Sequence, residues 1–378
     1  MYNYDISRED RAWVDEIWNK IDAKLKVVAP LNKDKIPYTT VNGVYNDMVK
    51  EDITWWTNGF WPGMMWLMYI GTKNEDYRAV AERSEELLDK AFGEYDTLHH
   101  DVGFMWLISS GANYRLFGSK KSRVRTSIAA DMLASRYNAR GEFIRSWNDD
   151  CIGWVIIDSM MNIPLLYWAS DEYKDDRFKY IAMKHADKVL NTHIRPDGSV
   201  NHIVSLDPTN GEVIETFGGQ GYAVGSSWSR GQAWAIYGFT LSYIHTGKQE
   251  YLDAAKRVAH YFIANVCDDW LPKVDFRSPK EPVIYDSTAG ACTACGLLEI
   301  AKHVPELERG LYINAAMKLL KAMEKNFCDW SLEEQSILQK GTEAYVCRPQ
   351  GKEAPIIYGD YYFIEAIYKL KGFEMLLW

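Results

Sequence analysis

The chain has 378 residues, with 43 Lys and Arg against 52 Asp and Glu, a formal net charge of −9. That balance argues against a nucleic-acid coat or an anionic membrane surface as partner, though a placed Arg in a dry pocket still allows a small anionic ligand. An ordinary apolar share of 47% excludes a disordered chain, and 15 Trp and 24 Tyr supply flat, amphipathic side chains that suit sugars.

Periodicity predicts twelve helices, over residues 8–28, 58–71, 75–92, 102–116, 119–138, 153–169, 172–193, 229–246, 249–266, 287–303, 307–327 and 358–371. Alternating stretches near 198–217 and 342–349 read as hairpins within loops. No Pro/Ser/Gly-rich linker divides the chain, so residues 1–378 read as one domain. The odd-numbered helices are amphipathic and charged; the even-numbered ones are apolar most of the way round. A helix apolar on all sides is buried and an amphipathic one covers it. Six such pairs predict an all-α fold, an (α/α)6 barrel or six-hairpin toroid with short β-hairpins in its loops.

Other features predict where the protein works. The first ten residues lack a basic region followed by an apolar run, and residues 60–70 are too short to span a bilayer, so the expectation is a cytoplasmic protein. Cys292 and Cys295 form a C-x-x-C, but they sit among Ala and Gly on a helix face and have no matching pair elsewhere. They read as buried structural thiols.

The loops before the even helices share a composition. They contain Trp55-Trp56-Thr57-Asn58-Gly59, His99-His100-Asp101-Val102-Gly103, and Trp147-Asn148-Asp149-Asp150. The later three contain Trp228-Ser229-Arg230-Gly231, Tyr285-Asp286-Ser287 and Gly359-Asp360-Tyr361. In a toroid all six open on one end, so their polar and aromatic groups converge on one pocket. Helix capping explains part of this pattern and is the preferred reading for Asp286, but it does not explain His99-His100 or the Trp flanks.

Asp158 is the most informative residue: one acid in the first turns of an otherwise apolar helix. Burial raises a carboxyl pKa, which is what a general acid needs near neutrality. Asp101 is the natural second carboxylate, so a two-carboxylate glycoside hydrolysis scheme is available, with the separation undetermined. The His residues lack metal-ligand spacing; no metal is expected, and His100 and His202 read as hydrogen-bonding groups. Arg230, between Trp228 and Trp234, can clamp a carboxylate or form a structural ion pair. Gly218-Gly219-Gln220-Gly221 reads as a turn.

Taken together, residues 56–61, 99–104, 156–166, 228–239, 286–289 and 359–362 resemble, in order along the chain, the unsaturated glucuronyl hydrolases of glycoside hydrolase family 88. The resemblance implies an (α/α)6 barrel and hydration of the C4=C5 double bond that polysaccharide lyases leave on a terminal uronate. Asp158 matches the acid/base position and Asp101 the second essential Asp. Trp56, His100, Trp147, His202, Gln220, Trp228, Arg230, Trp234 and Tyr361 match pocket residues. No cofactor is implied, and the implied partners are unsaturated uronate disaccharides or oligosaccharides. The loop over residues 347–355 departs from the pattern of relatives that accept sulfated sugars, which leaves Lys352 as a candidate sulfate contact. The alternatives are an unsaturated rhamnogalacturonyl hydrolase acting on pectin fragments, a sugar epimerase on a similar toroid, and a sugar-binding protein without activity.

Overall fold

In the computed structural model, which describes residues 2–148 and 150–378, two concentric rings of helices form a barrel. Met1 and Asp149, the latter part of the third loop, lie outside the described residues. The inner ring is α2 (Phe60–Thr72), α4 (102–117), α6 (159–173), α8 (Ser229–Thr246), α10 (Ser287–His303) and α12 (Ile357–Leu370). The outer ring is α1 (Arg8–Leu31), α3 (Glu75–Leu88), α5 (Lys120–Ser135), α7 (Asp176–His193), α9 (Gln249–Val266) and α11 (Glu306–Phe327). Each inner helix packs on its neighbours, and α12 packs on α2 to close the ring.

The connections explain why one end of the barrel carries the polar loops. Four inner helices end on a left-handed residue: Lys73, Gly118, Lys174 and Gly247. The next residue is already the N-cap position of the covering helix, and Asn74, Ser119 and Asp175 fill it with a side-chain oxygen that accepts a helix N–H. Such turns are too tight to hold a site. The return from each outer helix to the next inner one is longer, so the variable, functional loops collect at the opposite end. Farther down, the barrel axis is filled by aromatic packing. Trp378 stacks on Tyr362 at 6.0 Å and donates its indole N–H to Glu365.

Three predicted elements differ. The stretch 153–169 is not one helix. Trp154–Ile156 is a strand, β1, paired antiparallel with β2 (Ile203–Leu206), which pairs in turn with β3 (Val213–Phe217). β-Branched Val155 and Ile156 suit a strand, and their partner lies nearly fifty residues away, beyond any local periodicity. The predicted hairpin over 342–349 is a loop tied by the isolated bridge between Gly341 and Ala354. Helix α5 stops at Ser135 because Tyr137–Asn138 pair with Phe143–Ile144. Inside α4, Leu107–Gly111 forms a π-turn.

Candidate active site

The break between β1 and α6 decides the site. Asp158 lies in the turn that joins them, at the N-cap position of the helical turn Ser159–Asn162, not inside a helix. Ser159 Oγ donates to Ile156 O, and the Ile157 amide donates to His202 O, which fixes this turn against β2. The Asp158 side chain is 14% exposed and forms part of a pocket wall.

Asp101 reaches the same place from the start of α4, where its side chain is spent on Asn162 and makes no capping bond. Asn162 joins the two acids. Its Nδ2 donates to Asp101 Oδ1 (2.9 Å) and lies 3.3 Å from Asp158 O, while its Oδ1 accepts the Phe104 amide (2.9 Å). Gly103 makes this approach feasible, since a Cβ there would come within 2.5 Å of Asn162 O.

His100 sits behind both acids and is fully buried. Its Nδ1 is 2.7 Å from Ser146 O. A carbonyl can only accept, so Nδ1 carries a proton. Its Nε2 lies 3.0 Å from Asp158 Oδ1 and 3.3 Å from Asp101 Oδ1. A neutral His100 presents a lone pair to both carboxyls, and one of them must then be protonated to donate to it. A charged His100 donates to them itself. Either way the trio of Asp101, His100 and Asp158 holds a shared proton. Burial opposes charging His100, yet the two acids outweigh it and raise its pKa. Burial also pushes the Asp101 carboxyl up to about 7; His100 opposes that rise and Asp158 adds to it.

The raised Asp101 pKa makes a prediction with a definite sign. Folding is favoured by this group below its ordinary value of 3.8, and that contribution is lost as pH rises through about 7. Asp101→Asn keeps an oxygen for Asn162 and removes the buried charge. The melting temperature of the variant, relative to the parent, will therefore rise by a few degrees between about pH 4 and pH 8. Thermal melts at both pH values check this, and an equal difference at both would contradict it.

Around the acids the pocket has a volume of about 220 Å³ and is walled by Trp55, Trp56, His99, Trp147, Ile156, Gln220, Trp228, Arg230 and Trp234. Trp56, Trp147, Gln220, Trp228, Arg230 and Trp234 were expected there; Trp55, His99 and Ile156 are additions. Ile156 reaches the pocket because it lies on strand β1, where periodicity predicts helix. Trp55 and Trp228 hold buried indole N–H groups with no hydrogen-bond partner among the described residues. His202 is buried against Trp228, with ring centroids 4.3 Å apart. Its Nδ1 accepts the Gln220 amide at 2.9 Å, so Nε2 carries the hydrogen, and that N–H is likewise without a partner among the described residues. Burial lowers the His202 pKa to about 4 and keeps it neutral.

Arg230 combines the two roles that the sequence left open. Its Nη1 contacts Asp286 Oδ2 (2.5 Å) and Thr342 O (2.6 Å), and its Nη2 donates to Glu343 O (2.6 Å). Asp286 also accepts the Thr288 amide as N-cap of α10. The guanidinium is thus held by a buried ion pair while its edge faces the pocket.

Three expected contacts fall elsewhere, and one of them, His202, lines a small separate cavity with Phe217, Gly218 and Trp228. Tyr361 is fully buried among Phe60, Tyr362 and Trp378 and lines no part of the pocket. Tyr358, one helical turn earlier, packs on Trp56 and lies 5.4 Å from the Arg230 guanidinium. Lys352 also lies off the pocket wall; Arg348 and Gln350 of its loop line a neighbouring cavity instead. Asp360 is structural, accepting Tyr45 OH and the amides of Ile337 and Leu338. His99, His100 and Asp101 form a cluster with potential ligand atoms within 4.8 Å of one another. Both His100 nitrogens are already committed, so the cluster offers a cation too few free donors.

The chain is 36% identical over 347 residues to the unsaturated glucuronyl hydrolase of Bacillus sp. (strain GL1), covering 89% of this chain and 91% of that protein. It is 32% identical to the unsaturated chondroitin disaccharide hydrolase of Streptococcus pyogenes serotype M1, covering 96% of this chain and 92% of that one. The chain belongs to the unsaturated glucuronyl hydrolase family. The crystal structure of the Streptococcus agalactiae unsaturated glucuronyl hydrolase superposes with a TM-score of 0.90 at 30% identity, covering 97% of this chain and 94% of that one. No family model matches the chain. Membership makes the protein a glycoside hydrolase and sets aside the epimerase and the inactive sugar-binding protein.

Proposed function

We propose that this chain removes a 4,5-unsaturated glucuronyl residue from lyase-generated, glycosaminoglycan-type oligosaccharides, with Asp158 as the group that donates and then recovers the proton. The observation that carries this reading is the close contact of His100 Nε2 with Asp101 and Asp158, both on the wall of an aromatic pocket. Two of its relatives are named for unsaturated glucuronyl and chondroitin disaccharide substrates, which supports the same substrate class here.

The step is a hydration. Asp158 gives its proton to C4 of the uronate, and the electron pair of the C4=C5 bond forms the new C–H bond. Positive charge develops on C5 and the ring oxygen. The carboxylate left on Asp158 then takes a proton from water as the water oxygen bonds to C5. The C5 hemiketal opens by breaking its bond to the ring oxygen, and the C1 hemiacetal this leaves collapses to an aldehyde, its hydroxyl proton passing to the neighbouring sugar as that sugar leaves as an alcohol. Asp101 and His100 supply the acid with its proton and separate the two negative charges. Trp56 and Trp234 give apolar walls for the sugar ring. Gln220 and the Arg230 guanidinium on the pocket wall bring polar groups to its carboxylate and hydroxyls.

The setting is part of the same reading. The six cysteines are free thiols, which fits a reducing cytoplasm. Among the described residues, no helix is long and apolar enough to cross a membrane. The decisive experiment incubates the protein with unsaturated chondroitin and hyaluronan disaccharides and follows the absorbance of the double bond. Loss of that absorbance with release of the free hexosamine is the expected result. An unchanged signal across the whole panel would remove the proposed activity.

A further inference from the structure

Arg136 lies at the C-terminal end of α5 and lines no part of the acid-bearing pocket. Its guanidinium is nevertheless spent on the loop that carries Trp147. Nε donates to Arg145 O (2.9 Å), Nη1 to Asn148 Oδ1 (2.9 Å), and Nη2 to both Ser146 O (3.0 Å) and Trp147 O (2.9 Å). All four acceptors are neutral oxygens. Capping of α5 does not account for them: the Arg136 amide bonds Leu133 O, while the guanidinium touches no carbonyl of that helix.

Ser146 is where this arrangement meets the acids. Its carbonyl also accepts the His100 Nδ1–H at 2.7 Å and the His100 amide at 3.3 Å, and its Oγ accepts the Ile156 amide at 2.9 Å. One residue thus links the His100 ring, which contacts both acids, to the strand that leads into Asp158. Asn148 adds a second tie. Its Nδ2 donates to Asp96 O (2.9 Å) and Leu98 O (3.2 Å), which fixes the chain entering His99-His100.

We propose that Arg136 is a positioning residue for the reaction: it holds the Ser146 carbonyl, and through it the His100 ring, in the orientation that both acids use, and it sets Trp147 against the pocket. The inference rests on the activity proposed above and adds a residue outside the pocket on which the rate depends. A guanidinium suits the task because its rigid fork donates in several directions at once, which an ammonium on a flexible stem does not reproduce.

The charge gives this role a signature. Burial lowers the Arg136 pKa to about 10, so it stays charged at neutral pH, with Arg145 and Tyr95 facing it. Burial is the largest influence on His99, His100 and Asp101, and the Arg136 charge works to lower each of them. The other histidines around the trio are His185 and His193 from α7 and His202 just before β2; burial lowers these to about 3, 4 and 4, so they are neutral and do not replace that charge. Arg230, on the pocket wall, is paired with Asp286.

The test measures kcat, KM and their pH dependence on an unsaturated chondroitin disaccharide for the parent, Arg136→Met and Arg136→Lys, each rate scored per folded molecule. Arg136→Met frees His100 and removes the charge. Its kcat will fall about thirtyfold, and the limb on which activity falls with rising pH will move up by about one pH unit. Arg136→Lys keeps the charge without the fork, so kcat will fall about tenfold with that limb in place. A kcat within threefold of the parent in either variant, or a limb that Arg136→Met leaves unmoved, overturns the assignment. Where Arg136→Met does not fold, the kcat of Arg136→Lys decides by the same threshold. Absence of turnover by the parent overturns the proposed activity itself, and this role with it.

Discussion

Replacing Asp158 with Asn will lower kcat on unsaturated disaccharides by roughly 10,000-fold, the upper end of what a positioned acid/base supplies, because one side chain serves both proton transfers. The substitution preserves shape. The new side-chain amide can donate an N–H to a neutral His100 Nε2, or accept from a charged one through its oxygen, so the turn between β1 and α6 stays in place. KM and the melting temperature will change little. Double-bond absorbance measures the rate, and a thermal melt measures the fold. A variant that keeps a tenth or more of the parent rate, with its fold intact, would take the proton donor away from this position.

Arg230→Met will have the largest effect on stability. Asp286 is completely buried, and Arg230 is its cationic partner among the described residues. Loss of the guanidinium leaves that carboxylate uncompensated and strips the donor from the Thr342 and Glu343 carbonyls. Breaking a buried pair in this way costs about 3–5 kcal/mol. Urea unfolding will report the loss as a lower midpoint with a similar slope. The double variant Arg230→Met with Asp286→Asn will recover part of it, because the uncompensated charge is gone. If the double variant is no more stable than the single one, the burial of an unpaired charge is not the cause.

These two residues also show how unevenly the site could be read. Asp158 stood out because an acid inside an apolar run is costly and rare, and that signal is local. Its environment was not. The strand Trp154–Ile156 forms only because Ile203–Leu206 lies beside it, so a run of apolar residues that scans as helix becomes a strand and a turn. Arg230 and Asp286 were each legible as a functional or capping residue, but their pairing, 56 positions apart, was not. Tyr361 and Tyr358 occupy the same helix one turn apart; their direction depends on how α12 is rotated in the inner ring, which a motif alone does not specify. Lys352 and Arg348 lie in a loop without periodicity, where no pattern says which cation faces a cavity.

The sequence by itself determined the alternation of buried and covering helices, hence the toroid, and it determined which loops carry the unusual side chains. Both follow from short-range rules: hydrophobic periodicity, caps, and the cost of an isolated acid in an apolar segment. It also singled out Asp158 and Asp101. Tertiary structure alone decided that His100 lies between them and that Asn162 joins Asp101 to the turn carrying Asp158. The physical reason is that such contacts depend on distances of a few ångströms between atoms on different helices. Those distances are set by the closure of the ring, not by any segment within it.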